Sequence, residues 1–178
     1  MIRFNAVLAA ACIYLGVLAT ASASPALEVG FSPSAGHQSA LAVVVNGING
    51  AQHQVLVAAY SFTSKPIATA LINAKQRGVQ VMVVADKKGN SAPYSAVTFL
   101  ANKGIPVRLN GRYAIMHNKF MIIDGQDVET GSFNYTQAAA QKNAENALLL
   151  RGVPDLAETY AKDFERLWDE GDALSPAY

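Results

Sequence analysis

The chain of 178 residues is 51% hydrophobic and 15% charged, with 14 Lys+Arg against 13 Asp+Glu, one Cys and 7 Pro. It is too apolar for a disordered chain, too poor in cysteine for a disulfide scaffold and too short to divide comfortably into several domains, so one globular domain is expected. The near-neutral balance argues neither for nor against a polyanionic partner, and any basic groove must be local.

The first 23 residues read as an export signal. Arg3 supplies one positive charge, residues 6–19 form an apolar run, and Ala21-Ser22-Ala23 places small residues where a signal peptidase cuts. The run falls short of the roughly 20 residues a spanning helix needs, and Ser24-Pro25 ends it before any stop-transfer cluster, so no stable membrane anchor is expected after cleavage. Cys12 lies inside the run with apolar residues still following, which argues against lipid attachment there. The expected mature domain, residues 24–178, has no cysteine and, without Arg3, no net charge. That fits a periplasmic protein and not a disulfide-rich secreted module.

Residues 27–31 read as a short strand, and 38–49 as a helix with Leu41, Val44, Val45 and Ile48 on its apolar face. Residues 55–60 form a buried-type strand, 65–77 a helix stopped by Gly78, and 79–85 a second buried strand, which makes two βα units in succession. A helix over 94–103 closed by Gly104 precedes a short strand over 106–109. This pattern predicts an α/β sandwich, a mixed, largely parallel sheet flanked by helices, in a single domain. The second half changes character: 115–123 and 127–131 are extended segments joined by the tight-turn pair Asp124-Gly125, hence a β-hairpin. A short helix over 136–142 and a strand over 147–151 follow. A final amphipathic helix over 154–169 turns Leu156, Tyr160, Phe164, Leu167 and Trp168 inward. No internal repeat or interdomain linker is visible.

The hairpin carries the residues with chemistry. Alternate residues of a strand share a face, so His117 and Lys119 project together, roughly 6.6 Å apart along the strand. The ammonium disfavours protonation of the imidazole by like-charge repulsion, leaving a nucleophilic nitrogen free near neutral pH, and stays available to an anionic substrate. On the returning strand Ser132 and Asn134 also share a face. A nucleophile, a cation, a hydroxyl and an amide thus converge on one oxyanion. A lone His-x-Lys is ordinarily a solvated face and a lone Gly-Ser-x-Asn a turn; together, at fixed separation, they are far more specific.

The full pattern runs His117-x-Lys119, four residues, Asp124, six residues, Gly131-Ser132-x-Asn134. It resembles the HKD motif of the phospholipase D superfamily with its downstream Gly-Ser-x-Asn. Short length, a single motif copy and the export signal make the chain look like the small periplasmic Nuc-type endonucleases of that superfamily. The resemblance implies metal-independent phosphodiester hydrolysis through a covalent phosphohistidine, with no cofactor, on DNA and, as a further candidate, RNA. It makes His117 the nucleophile, and Lys119 and Asn134 the donors to the equatorial oxygens of a pentacovalent transition state. Ser132 would support a phosphate oxygen or a neighbouring side chain, and Glu145 is the candidate acceptor for the second imidazole nitrogen. Asp124 has the wrong strand parity to reach substrate, so fixing the hairpin or pairing with a nearby cation is its expected work. Lys65, Lys87, Lys88, Arg112 and Lys142 are candidates to line a substrate groove.

The implied mechanism needs one imidazole to attack phosphorus and another to protonate the leaving oxygen and then activate water. Neither His37 nor His53 has a Lys two residues on, so each reads as a surface histidine and one chain supplies half a site. A two-fold homodimer with a shared active site is therefore expected. Three scattered His and no Cys in the mature chain leave no recognisable metal-ligand spacing, and none is expected. The alternative is a lipid phosphodiesterase or transferase of the same superfamily. Against it stand the lack of an obvious amphipathic lipid-binding helix and of a second motif copy. A DNA-binding module with a vestigial site would show a damaged motif, and this one is intact.

Overall fold

The computed structural model describes residues 26–36, 38–92 and 95–177; the expected export signal with Cys12, and also His37 and Tyr94, lie outside the described residues. In chain order the elements are β1 (Ala26–Ser32), α1 (Ala40–Gly50), β2 (Gln54–Ala59), α2 (Lys65–Gln76), β3 (Gln80–Asp86), α3 (Ala96–Asn102) and β4 (Val107–Asn110). The second half adds β5 (Lys119–Ile123), β6 (Asp127–Gly131), α4 (Gln137–Gln141), β7 (Glu145–Arg151), α5 (Pro154–Asp169) and β8 (Asp172–Ala173).

All eight strands form one mixed sheet in the order β1-β7-β6-β5-β2-β3-β4-β8. Its parallel part is confined to β2, β3 and β4, narrower than the βα pattern implies. The other pairings are antiparallel, because β5, β6 and β7 follow one another through short connections that reverse the chain and then insert beside β2.

The βα units form for local reasons. Ser39, Ser64 and Ser95 cap α1, α2 and α3, each side chain accepting a first-turn backbone N–H. Pro66 occupies the first turn of α2, and Gly78 beyond its end takes φ +92°. Helix α1 buries Ala40, Val43, Val44, Gly47 and Ile48, so its inner face is rotated from the expected one and Leu41 and Val45 are only half-buried. Helix α3 is shorter than expected and begins after its Ser95 cap.

One face of the sheet is covered by α1, α2 and α3 over a core that includes Val57, Val83, Leu71, Leu100 and Met121. On the other face α5 packs across β4, β3, β2, β5 and β6 and buries Ala157, Phe164 and Leu167 against Leu56, Val84, Phe120, Ile122 and Val128. Burying a side chain such as Phe164 contributes about 1.5–3 kcal/mol. Leu156, expected inside, is 36% exposed, since it sits in the first turn before α5 reaches the sheet. Trp168 stacks on Phe164 and carries the Arg108 guanidinium over its face. Edge strand β1 exposes Leu27, Val29 and Phe31 on one face. Leu27 and Val29 lie opposite the half-buried Leu150 and Leu148 of β7.

Candidate active site

Residues 124–126 connect β5 to β6, and the chain turns at Asp124 and Gly125, whose φ values are +53° and +66°, with the Gln126 N–H donating to the Ile123 carbonyl at 3.1 Å. The Asp124 carboxylate accepts from the backbone N–H groups of Gln52, His53 and Gln54 at 2.7–2.8 Å. Burial pushes its carboxyl up, but these three donors and the neighbouring His53 hold it below the ordinary aspartate range. Asp124 thus ties the turn to the start of β2, at the end of β5 far from Lys119.

At the other end of the hairpin the ladder starts at Lys119, later than expected, so His117 and Asn118 precede it. Lys119 is 8% exposed, and its Nζ donates to the His117 carbonyl at 2.9 Å. The same Nζ lies 2.9 Å from His117 Nδ1 and 3.1 Å from Nε2. Burial pulls the ammonium below the ordinary lysine range, opposed by the charge of Glu145. Behind both groups stands Tyr60, just past β2, its ring centroid 4.5 Å from that of His117 and 5.3 Å from Lys119 Nζ. Nothing in the motif spacing singles out Tyr60; it becomes visible only when β2 pairs with β5 and brings Ala59 opposite Lys119.

A pocket of about 530 Å³ gathers His117, Lys119, Ser132, Asn134 and Glu145, with Phe120 and Tyr160 in one wall. His117 stands just before β5, and Ser132 and Asn134 follow β6 rather than alternating within it as expected; these flanking segments and the start of β7 bring the constellation together. Gly131 lets β7 approach, since a Cβ there would lie 2.3 Å from the Asn146 carbonyl oxygen. Ser132 Oγ donates to Glu145 Oε2 at 2.6 Å and accepts from Asn146 N at 3.1 Å. Asn134 Oδ1 is buried and has no partner among the described residues. Leaving a buried amide oxygen unpaired costs about 1–3 kcal/mol.

Glu145 departs from its expected role. Its oxygens are taken by Ser132 and by Asn143 Nδ2 at 3.1 Å, and neither bonds His117 within this chain. The basic residues also separate. Lys65 starts α2 and lines two smaller cavities beside Thr63. Arg112 faces Glu170 at 3.6 Å, Lys87 pairs with Asp172 at 2.9 Å, and Lys88 donates to the Ala114 carbonyl. Lys142 ends α4, exposed. None of these lines the His117 pocket, because helix ends and local carboxylates hold them elsewhere.

Beneath the returning strand lies a buried pair the sequence did not suggest. Tyr135 donates its hydroxyl to Glu129 Oε2 at 2.7 Å, and burial pushes the Glu129 carboxyl up to about 8. The Tyr135 carbonyl accepts from Thr63 and Ser64, anchoring the chain immediately after Asn134.

A family model described as "Cardiolipin synthase, PLD-like domain" matches residues 44–168. The chain is 38% identical over 123 residues to a mitochondrial cardiolipin hydrolase of Xenopus laevis, covering 69% of this chain and 58% of that one. It is 37% identical over 134 residues to a phospholipase D of Rickettsia felis, covering 75% of this chain and 65% of the relative. It thus spans about three fifths of the length of these curated relatives. Among solved structures, the phospholipase D family member Nuc from Salmonella typhimurium superposes with a TM-score of 0.81 at 40% identity, covering 85% of this chain and 99% of that one. NucT from Helicobacter pylori, at 23% identity and a TM-score of 0.71, covers 84% of this chain and 99% of its own and shares the fold. With the motif residues gathered in one pocket of this fold, the chain belongs to the phospholipase D superfamily.

Proposed function

We propose that this protein is an exported phosphodiesterase that cleaves DNA, and RNA as a further substrate, through a covalent phosphohistidine. The observation that carries the reading is the convergence of His117, Lys119, Ser132 and Asn134 on one pocket, with the Lys119 ammonium against the imidazole. His117 attacks phosphorus; the new N–P bond forms as the bond to the leaving oxygen breaks. A second imidazole gives that oxygen its proton, then takes one from water as the water attacks phosphorus and frees His117. Lys119 and Asn134 donate to the equatorial oxygens, where removing one such donor costs about 2.7–4 kcal/mol of transition-state stabilisation.

The second imidazole comes from a second copy of the chain. A surface for it adjoins the pocket: Phe31 lies opposite Asn146, whose backbone bonds Ser132, and continues into exposed Val29 and Leu27. Two-fold pairing would set two Lys119 side chains around one phosphate, concentrating positive potential on a domain whose overall charge is neutral.

Nucleic acid is favoured as substrate by the near-complete overlap with Nuc, whereas the curated relatives named phospholipase D and cardiolipin hydrolase favour a lipid phosphodiester as the second reading. Incubation of residues 24–178 with plasmid DNA, RNA and phosphatidylcholine or cardiolipin vesicles in excess EDTA separates them. Cleavage of nucleic acid in EDTA by a species that sediments as a dimer is expected. Lipid hydrolysis alone, or activity that EDTA removes and Mg²⁺ or Zn²⁺ restores, would overturn the reading.

A further inference from the structure

Two buried polar side chains outside the motif meet at the C-terminal ends of β2 and β3. Asp86 and Asn90 are each 2% exposed. Asp86 uses both oxygens: Oδ1 accepts from Met116 N and Oδ2 from Gly89 N, each at 2.7 Å. Asn90 donates through Nδ2 to the carbonyls of Tyr60 at 2.7 Å and Asp86 at 2.9 Å, and its Oδ1 accepts from Phe62 N at 3.0 Å.

Three of these contacts end beside the chemistry. Met116 directly precedes His117, Tyr60 carries the ring against the imidazole, and Phe62 bridges to Tyr135, the neighbour of Asn134. His117 is exposed and lies outside the β5 ladder, so the strand itself does not fix it. Gly89 closes the knot tightly: a Cβ there would stand 2.9 Å from the Tyr60 carbonyl oxygen and 3.3 Å from Asp86 Oδ2.

We propose that Asp86, backed by Asn90, is a positioning residue that holds the His117 imidazole between the Met116 backbone and the Tyr60 ring, in line with the scissile phosphorus. The inference rests on the covalent reading above. Two separate backbone donors require two acceptor oxygens. An amide in place of the carboxylate keeps one acceptor and turns an N–H toward the other donor, so one of the two anchors is lost. A displacement of about 1 Å at a nucleophile is enough to slow the reaction on the order of 100-fold.

Single-turnover rapid quench of the mature protein with a labelled phosphodiester oligonucleotide separates positioning from folding. The amplitude counts sites able to form phosphohistidine; the rate constant reports how well each site is set. For Asp86→Asn the expected result is a rate constant lowered about 100-fold, with amplitude and KM within twofold of wild type. Gly89→Ala, which presses on the same knot through backbone space, should show the same split and serves where Asp86→Asn folds poorly. A wild-type rate constant in the variants, or a reduced amplitude at an unchanged rate constant, would overturn the proposal. If the wild type cleaves substrate without any phosphohistidine, the covalent reading fails instead. The positioning role is then read from kcat falling at constant KM, and an unchanged kcat overturns it.

Discussion

Glu129 shows how one side chain can couple the site to pH. In the unfolded chain its carboxyl ionises near 4.5, whereas in the folded protein burial holds the proton until about 8. Between those values the folded state keeps a proton that the unfolded chain has released, so stability falls as pH rises across the window and levels off above it. The thermal midpoint of the wild type should therefore drop by roughly 7–14 °C between pH 5 and pH 8 from this source. Glu129→Gln keeps an acceptor for the Tyr135 hydroxyl and should flatten that slope in calorimetry. An identical slope in the variant would show that the buried carboxyl is not what titrates. Lys119 is perturbed in the opposite sense to its usual surface state: buried against an imidazole, it is already stripped of much of its water where a phosphate oxygen would take its proton-donating face.

At the scale of the element, the hairpin is a rigid bar with catalytic groups at one end and a brace at the other. Asp124 supplies the brace through three backbone donors on the segment leading into β2. Asp124→Ala leaves those donors to water and is expected to destabilise the fold by about 2 kcal/mol, lowering the thermal midpoint by roughly 4–8 °C. The rate constant for phosphoryl transfer should stay within a fewfold of wild type, because β5 still positions Lys119 from the β2 side. Loss of transfer in a fully folded Asp124→Ala protein would put this carboxylate in the chemistry after all.

Much of this hairpin was legible in the sequence, and for physical reasons. The apolar run marks the strand and the Asp-Gly pair announces its turn, whereas His117, Ser132 and Asn134 lie just outside β5 and β6, so period-two alternation does not place them. Helix α5 was equally plain, because Pro154 starts it and an apolar stripe runs through it. The start of β5 was not: Asp86, thirty residues upstream, holds the backbone at Met116, and no local pattern encodes a hydrogen bond over that distance. The same holds for Tyr60 behind the imidazole and for Asn90. Strand β8, two residues long, carries no periodicity to read. Glu145 was rightly placed at the pocket but not in its contact, since whether it bonds Ser132 or His117 depends on rotamers that sequence spacing does not specify.

At the scale of the molecule, the asymmetry of the sheet is the organising feature. Three helices cover one face, whereas α5 spans β4 to β6 on the other, and the apolar residues of β1 emerge beside the pocket. The proposed pairing of two chains would supply a second imidazole to a pocket lined by one, with exposed Phe31, opposite Asn146, the nearest apolar side chain of β1. The proposed chemistry stands on one bond, from phosphorus to a nitrogen of His117. The most direct measurement is peptide mapping by mass spectrometry of enzyme quenched under denaturing conditions during DNA cleavage in EDTA. During DNA cleavage the peptide containing His117 is expected to carry the retained strand joined through its phosphorus to the imidazole, with neither that adduct nor cleavage in His117→Ala. Continued cleavage by His117→Ala, or turnover by the wild type with His117 unmodified at every quench time, would contradict it.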